Sequence, residues 1–84
     1  MVNTRKLFER ITSSPSASLT LRDFERVLVA FGFQLERTRG SHRAYAHGKV
    51  PRPLIVQPRV KDAKSYQVRE FLDMVEAYGL ELSE

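Results

Sequence analysis

Apolar residues recur along the chain with two different periods, and the change of period divides it into elements. Leu7, Phe8 and Ile11 fall at i, i+1 and i+4, on one side of a short helix over residues 3–12, with Asn3 as its candidate cap. Residues 12–18 are small and polar, rich in serine, and read as a loop. Leu21, Phe24, Val27, Leu28 and Phe31 make the apolar stripe of a second helix over 21–31. Thr20 can cap it, with Asp23 three positions on, and Gly32 stands where a helix stop favours positive φ. That stripe reads as core. From Phe33 the period drops to two. Phe33–Thr38 alternates as a strand, Arg39-Gly40-Ser41 forms a turn, and His42–His47 is a second strand completing a hairpin. Alternation puts His42, Ala44 and Ala46 on one face of that strand and Arg43, Tyr45 and His47 on the other. Leu54–Gln57 is a third short strand, set between a loop over 48–53 and Pro58. Val68, Phe71, Leu72 and Val75 return to helical spacing in a last helix over 64–78, with Gly79 as its stop.

The resulting order, α-α-β-β-β-α, predicts an α+β fold. Sequential hairpins make the three-stranded sheet antiparallel, and helices packed on one of its faces leave the other open. At 84 residues the chain is expected to be a single domain, 1–84, with its core in 19–79. Apolar residues make up 42% and charged residues 29%, which is globular composition. There are no cysteines, so neither a disulfide framework nor a thiolate metal site is available. No run reaches the ~18 apolar residues of a membrane span, and Glu9 and Arg10 interrupt any signal-peptide core. A cytoplasmic protein with no membrane partner is the expectation.

Charge is unevenly distributed. The net value is +4, yet residues 37–64 carry Arg37, Arg39, Arg43, Lys49, Arg52, Arg59, Lys61 and Lys64 against Asp62 alone. Residues 65–84 carry Arg69 against Glu70, Asp73, Glu76, Glu81 and Glu84. A basic middle dominated by arginine suits a polyanion, because guanidinium forks match phosphate oxygens and stack on bases. Arg37, Arg39, Arg43, Lys61 and Lys64 are the candidate phosphate contacts, Lys64 at a helix start where free N–H groups also favour anions.

His42 and His47 are the side chains whose ordinary pKa lies near neutrality. They fall on opposite faces of one strand, and without thiols they do not make a metal site, so neither metal nor cofactor is expected. His42 follows Gly40-Ser41 and is flanked by Arg39 and Arg43. There a phosphodiester could be held by guanidinium groups while the imidazole moves a proton. Tyr45 and Tyr66 each have two readings, core aromatic or stacking platform for a base, and core is favoured for Tyr45.

Gly32-Phe33, Arg37-x-x-Gly40-Ser41-His42-x-x-Tyr45, Gln57-Pro58 and Ala63-Lys64-x-Tyr66-Gln67-Val68-Arg69 together resemble the HicA family of bacterial mRNA interferase toxins. The resemblance runs from about residue 20 to residue 78. The helix and serine loop of residues 1–18 look like the N-terminal extension of longer members. The resemblance implies a fold like the double-stranded RNA-binding domain, and metal-independent RNA cleavage that arrests translation. It also implies a HicB-type antitoxin partner, with no DNA binding by the toxin alone. The family's functional histidine maps onto His42, with Gly40 and Ser41 shaping the turn. Many compact members carry Pro-x-His near the third strand, where this chain has Gln57-Pro58-Arg59. His47 is the available substitute, although its face argues against direct cooperation. Two other functions fit the same basic surface: a non-catalytic RNA-binding module and a domain that docks an acidic protein.

Overall fold

In a computed structural model that describes residues 3–14, 19–57 and 61–82, each helix starts and stops where its flanking residues allow. Helix α1 spans Thr4–Ser13, and the Asn3 side chain accepts the Arg5 N–H at 2.8 Å. Helix α2 spans Leu21–Ala30, with Thr20 Oγ1 accepting the Asp23 N–H at 3.2 Å. Helix α3 spans Ser65–Tyr78 and ends on Gly79 in the left-handed conformation, at φ 61°. Between α2 and α3 lie β1 (Gln34–Arg39), β2 (His42–Ala46) and β3 (Leu54–Val56), an antiparallel sheet in the order β1-β2-β3. The α+β class and the element order are those the sequence predicts, with boundaries moved by at most one residue. The expected stop at Pro58 and residues 15–18 of the serine loop lie outside the described residues.

One face of the sheet meets the helices. Tyr45 pairs with Leu54 and Arg43 with Val56, and Tyr45, Leu54 and Val56 are all buried. The opposite face carries Ala44 beside Ile55 and is open. The helix stripes supply the rest of the core, and Phe71 of α3 lies at its centre with no exposed surface. Its ring meets Phe8, Phe24, Phe31 and Phe33 at centroid distances of 6.4, 5.9, 5.2 and 6.1 Å, in tilted to edge-on arrangements. Helix α1 is part of this core: Leu7 and Ile11 are buried, and Phe8 packs 4.7 Å from Phe31. The buried Gln67 amide of α3 donates to the Ile55 carbonyl, which ties α3 to the edge strand β3.

A polar cluster fastens α2 beneath β2. The Tyr45 hydroxyl donates to Glu25 Oε2 at 2.6 Å, and Arg43 Nη1 donates to the two Glu25 oxygens at 3.0 and 2.8 Å. Burial first, then the hydrogen bond to Glu25 and that carboxylate's charge, push the Tyr45 phenol up to about 12.

Strand β1 departs from its expected half-buried alternation. Phe33 is buried just before the strand, but all six residues of β1 are exposed, Leu35 by 51%. The physical reason lies in the pairing. Leu35 pairs with Tyr45 and Arg37 with Ala44, so Glu36 is an extra residue and the register slips. Without it, Leu35, Arg37 and Arg39 would share one face. With it, Leu35 stays on the helix side of this edge strand while Arg37 and Arg39 move to the open side.

Two stability predictions follow from these contacts. Phe71→Ala should lower unfolding stability by about 3–5 kcal/mol, because one cavity breaks four ring contacts; urea denaturation measures it. Raising the Tyr45 pKa means that the fold holds the phenolic proton more tightly than the unfolded chain does. Its contribution is complete below pH ~10 and is lost as pH rises toward 12. Tyr45→Phe should remove that alkaline loss, which urea midpoints measured between pH 8 and 11 would reveal as a flatter profile.

Candidate active site on the open face

The site begins with the hairpin turn. Arg39 and His42 are the last paired residues of β1 and β2, so only Gly40 and Ser41 connect them. Gly40 has φ 57° and Ser41 has no positive φ, the pattern of a two-residue turn with glycine at its first position. This tight closure places the Arg39 and His42 side chains directly across from each other, where paired side chains lie ~4.5–5.5 Å apart at Cβ. One step along the sheet, Arg37 faces Ala44 and Ala44 faces Ile55. The small Ala44 side chain leaves a shallow depression of about 380 Å³, bounded by Glu36, Arg37, Arg39, His42, Pro53 and Ile55.

His42 is exposed, and none of the described residues bonds to its ring. Arg37 and Arg39 are exposed as well and have no ion-pair partner among the described residues. The cluster therefore offers a titratable imidazole and two uncommitted guanidinium groups on one accessible surface. His42 also borders a second depression, of about 220 Å³, that lies over β3 and the first turns of α3. Its walls include Arg52, Pro53, Gln57, Tyr66 and Glu70. The Arg52 guanidinium is paired with Glu70 at 2.6 Å.

The other expected phosphate contacts lie elsewhere. Arg43 projects from β2 on the side away from His42, is bound to Glu25, and is held above its ordinary pKa by that hydrogen bond and charge. Lys61 lies where the Leu21 N–H bonds its carbonyl at 2.9 Å, and Lys64 occupies the cap position of α3. Neither borders the two depressions around His42. Tyr45 is core, as its alternation favours, whereas Tyr66 is 62% exposed.

His47 is occupied structurally. Its Nδ1 accepts the Lys49 N–H at 3.0 Å, so its Nε2 carries the proton and donates to the Phe31 carbonyl at 3.0 Å. The ring also packs 5.1 Å from Phe33, and a Cβ at Gly32 would lie 3.2 Å from His47 Nε2. Gly32 itself has φ 92°. His47 thus closes the α2–β1 corner against the end of β2. Among the described residues, no three His, Asp or Glu side chains converge as ligands for a metal ion. No helix among them is long and apolar enough to cross a membrane.

Sequence reasoning missed Arg52 and the second depression. The alternation of Leu54, Ile55 and Val56 carried a signal for Ile55, since it sets that side chain opposite two core residues. Nothing in the local sequence marked Arg52, because its place depends on how the proline-rich loop lies against α3.

No curated protein and no solved structure matches the chain. A family model described as the HicA toxin of bacterial toxin–antitoxin systems matches residues 21–76, from the start of α2 nearly to the end of α3. That stretch includes the hairpin, both depressions and Phe71, and covers well over half of the sequence; the chain belongs to the HicA toxin family.

Proposed function

We propose that the toxin acts as a metal-independent endoribonuclease that cleaves mRNA and arrests translation, with His42 moving a proton at the scissile phosphate. The observation that carries this reading is the closing pair of the hairpin. An exposed imidazole with no bonded partner among the described residues stands across from Arg39 and beside Arg37, on a face that none of the described helices covers. RNA supplies its own nucleophile. The 2′-oxygen bonds to phosphorus, the bond from phosphorus to the 5′-oxygen of the next nucleotide breaks, and a 2′,3′-cyclic phosphate and a 5′-hydroxyl remain. His42 either accepts the 2′ proton while solvent water protonates the departing 5′-oxygen, or protonates that oxygen while solvent water takes the 2′ proton. Arg37 and Arg39 hold the phosphate and neutralise the charge that builds on its oxygens.

The family also supports a HicB-type antitoxin as the cognate partner. A cover over the open face would block the face on which RNA must lie. Arg43, Lys61 and Lys64 are not assigned to the scissile phosphate; Lys61 and Lys64 remain exposed cations that longer RNA can reach.

His42→Ala should lower RNA cleavage in EDTA by about 10²–10⁴-fold while leaving the fold intact, since the ring bonds to nothing described. Gel analysis of cellular RNA after induction, and of purified protein with RNA, measures this. Intact RNA with folded wild-type protein would remove the nuclease reading in favour of a binding module. Arg39→Ala should weaken binding to RNA blocked by 2′-O-methylation across all sequences. It should also flatten the slope of log affinity against log salt by about 0.7, the value for one lost single-strand phosphate contact. An unchanged slope would place the phosphate elsewhere.

A further inference from the structure

We propose that the second depression beside His42 is a nucleobase subsite, with Tyr66 as its stacking platform, and that it selects the nucleotide flanking the cleaved bond. The inference rests on the RNA-cleaving role of the open face and adds to it the place where sequence is read. The two depressions share His42, Pro53 and Ile55 but differ in charge. In the first, Arg37 and Arg39 outnumber Glu36, and neither guanidinium is paired among the described residues. In the second, the single guanidinium of Arg52 is already compensated by Glu70 at 2.6 Å. An anionic phosphate gains from the first and finds no net positive charge in the second. A neutral base gains nothing from net charge, and the second depression offers it an aromatic face and apolar surface.

The walls of the second depression suit a flat, hydrogen-bonding ring. Tyr66 is 62% exposed, and its side chain has no hydrogen-bond partner among the described residues. An aromatic ring left in solvent at the rim of a cleft offers a face to any base, whatever its sequence. Pro53 and Ile55 add apolar surface, and Ile55 is 41% exposed. The polar edges are Gln57, whose exposed amide both donates and accepts, and the carboxylate of Glu70, which accepts. Such edges can distinguish the exocyclic amino and carbonyl groups of one base from those of another. The platform is also held in place. The neighbouring Gln67 is buried and bound to the Ile55 carbonyl, so the first turn of α3 is locked to β3. At about 220 Å³ the space is smaller than a pocket for a drug-sized ligand, in keeping with a single ring.

The test is the steady-state cleavage of short RNAs that vary the nucleotide on either side of the cut, by wild type, Tyr66→Phe and Tyr66→Ala. Tyr66 is exposed, so both variants should fold, and circular dichroism checks that they do. Tyr66→Phe keeps the ring face and should retain the wild-type preference at the flanking position. Tyr66→Ala should lose roughly 5- to 150-fold in kcat/KM, mostly through KM, and lose the preference at one flanking position. The same proteins are titrated with RNA blocked by 2′-O-methylation. If Tyr66→Ala cleaves and binds as wild type does, with the same preference, the subsite is overturned. If wild type cleaves nothing but binding still depends on the Tyr66 ring, the subsite stands and the nuclease reading falls. If wild type neither cleaves nor binds RNA, both fall.

Discussion

Phe71 presents its ring to the other four phenylalanines of the chain, and that contact sets how the three helices and the entry to β1 lie together. Phe8 brings in α1, Phe24 comes from α2, Phe31 and Phe33 bracket the corner between α2 and β1, and Phe71 itself belongs to α3. Edge-to-face rings combine large buried area with a preferred geometry, so the cluster fixes orientation as well as proximity. With α2 and α3 held together in this way, one face of a three-stranded sheet suffices to close the core. The other face has no layer to cover it.

The polar contacts then fix what the apolar core leaves free. Glu25 receives both Tyr45 and Arg43, so a carboxylate of α2 lies under the centre of β2. Gln67 fastens α3 to β3. His47 bonds two backbone groups and closes the α2–β1 corner. Each of these side chains ties one element to another through hydrogen bonds. The groups with no bonded partner among the described residues, His42, Arg37, Arg39 and Tyr66, lie on the open face or at its margin. This division between structural and available polar groups is the main reason the open face reads as the working surface of the toxin. It also separates the two histidines, which composition alone treats as equivalents.

Most of the fold was legible because its elements carry strong local signals. The stripe from Leu21 to Phe31, the caps at Asn3 and Thr20, the turn at Gly40 and the stop at Gly79 are short-range effects, acting over four residues or fewer. The place of His42 at the start of β2, across the turn from Arg39, was legible for a similar reason, since Gly40-Ser41 is a local turn signal. Arg43 shows where such reasoning stops. It adjoins His42 in sequence and is basic, yet alternation along β2 turns it to the opposite face, where Glu25 is 18 residues away in sequence. Proximity along a strand is not proximity on its surface.

The sequence by itself determined the element order, the helix limits, the hairpin turn and the residue that faces Arg39 across it, because hydrophobic period, capping and φ preference act over a few residues. Only the tertiary structure decided that Glu36 is a bulge, and therefore that Arg37 and Arg39 leave the face of Leu35 and join His42. It also decided that Arg43 serves Glu25, that His47 is a staple, and that Arg52 and Tyr66 line one depression beside His42. Those outcomes depend on register and on the packing of α3 against β3, and both are set by contacts between segments distant in the chain.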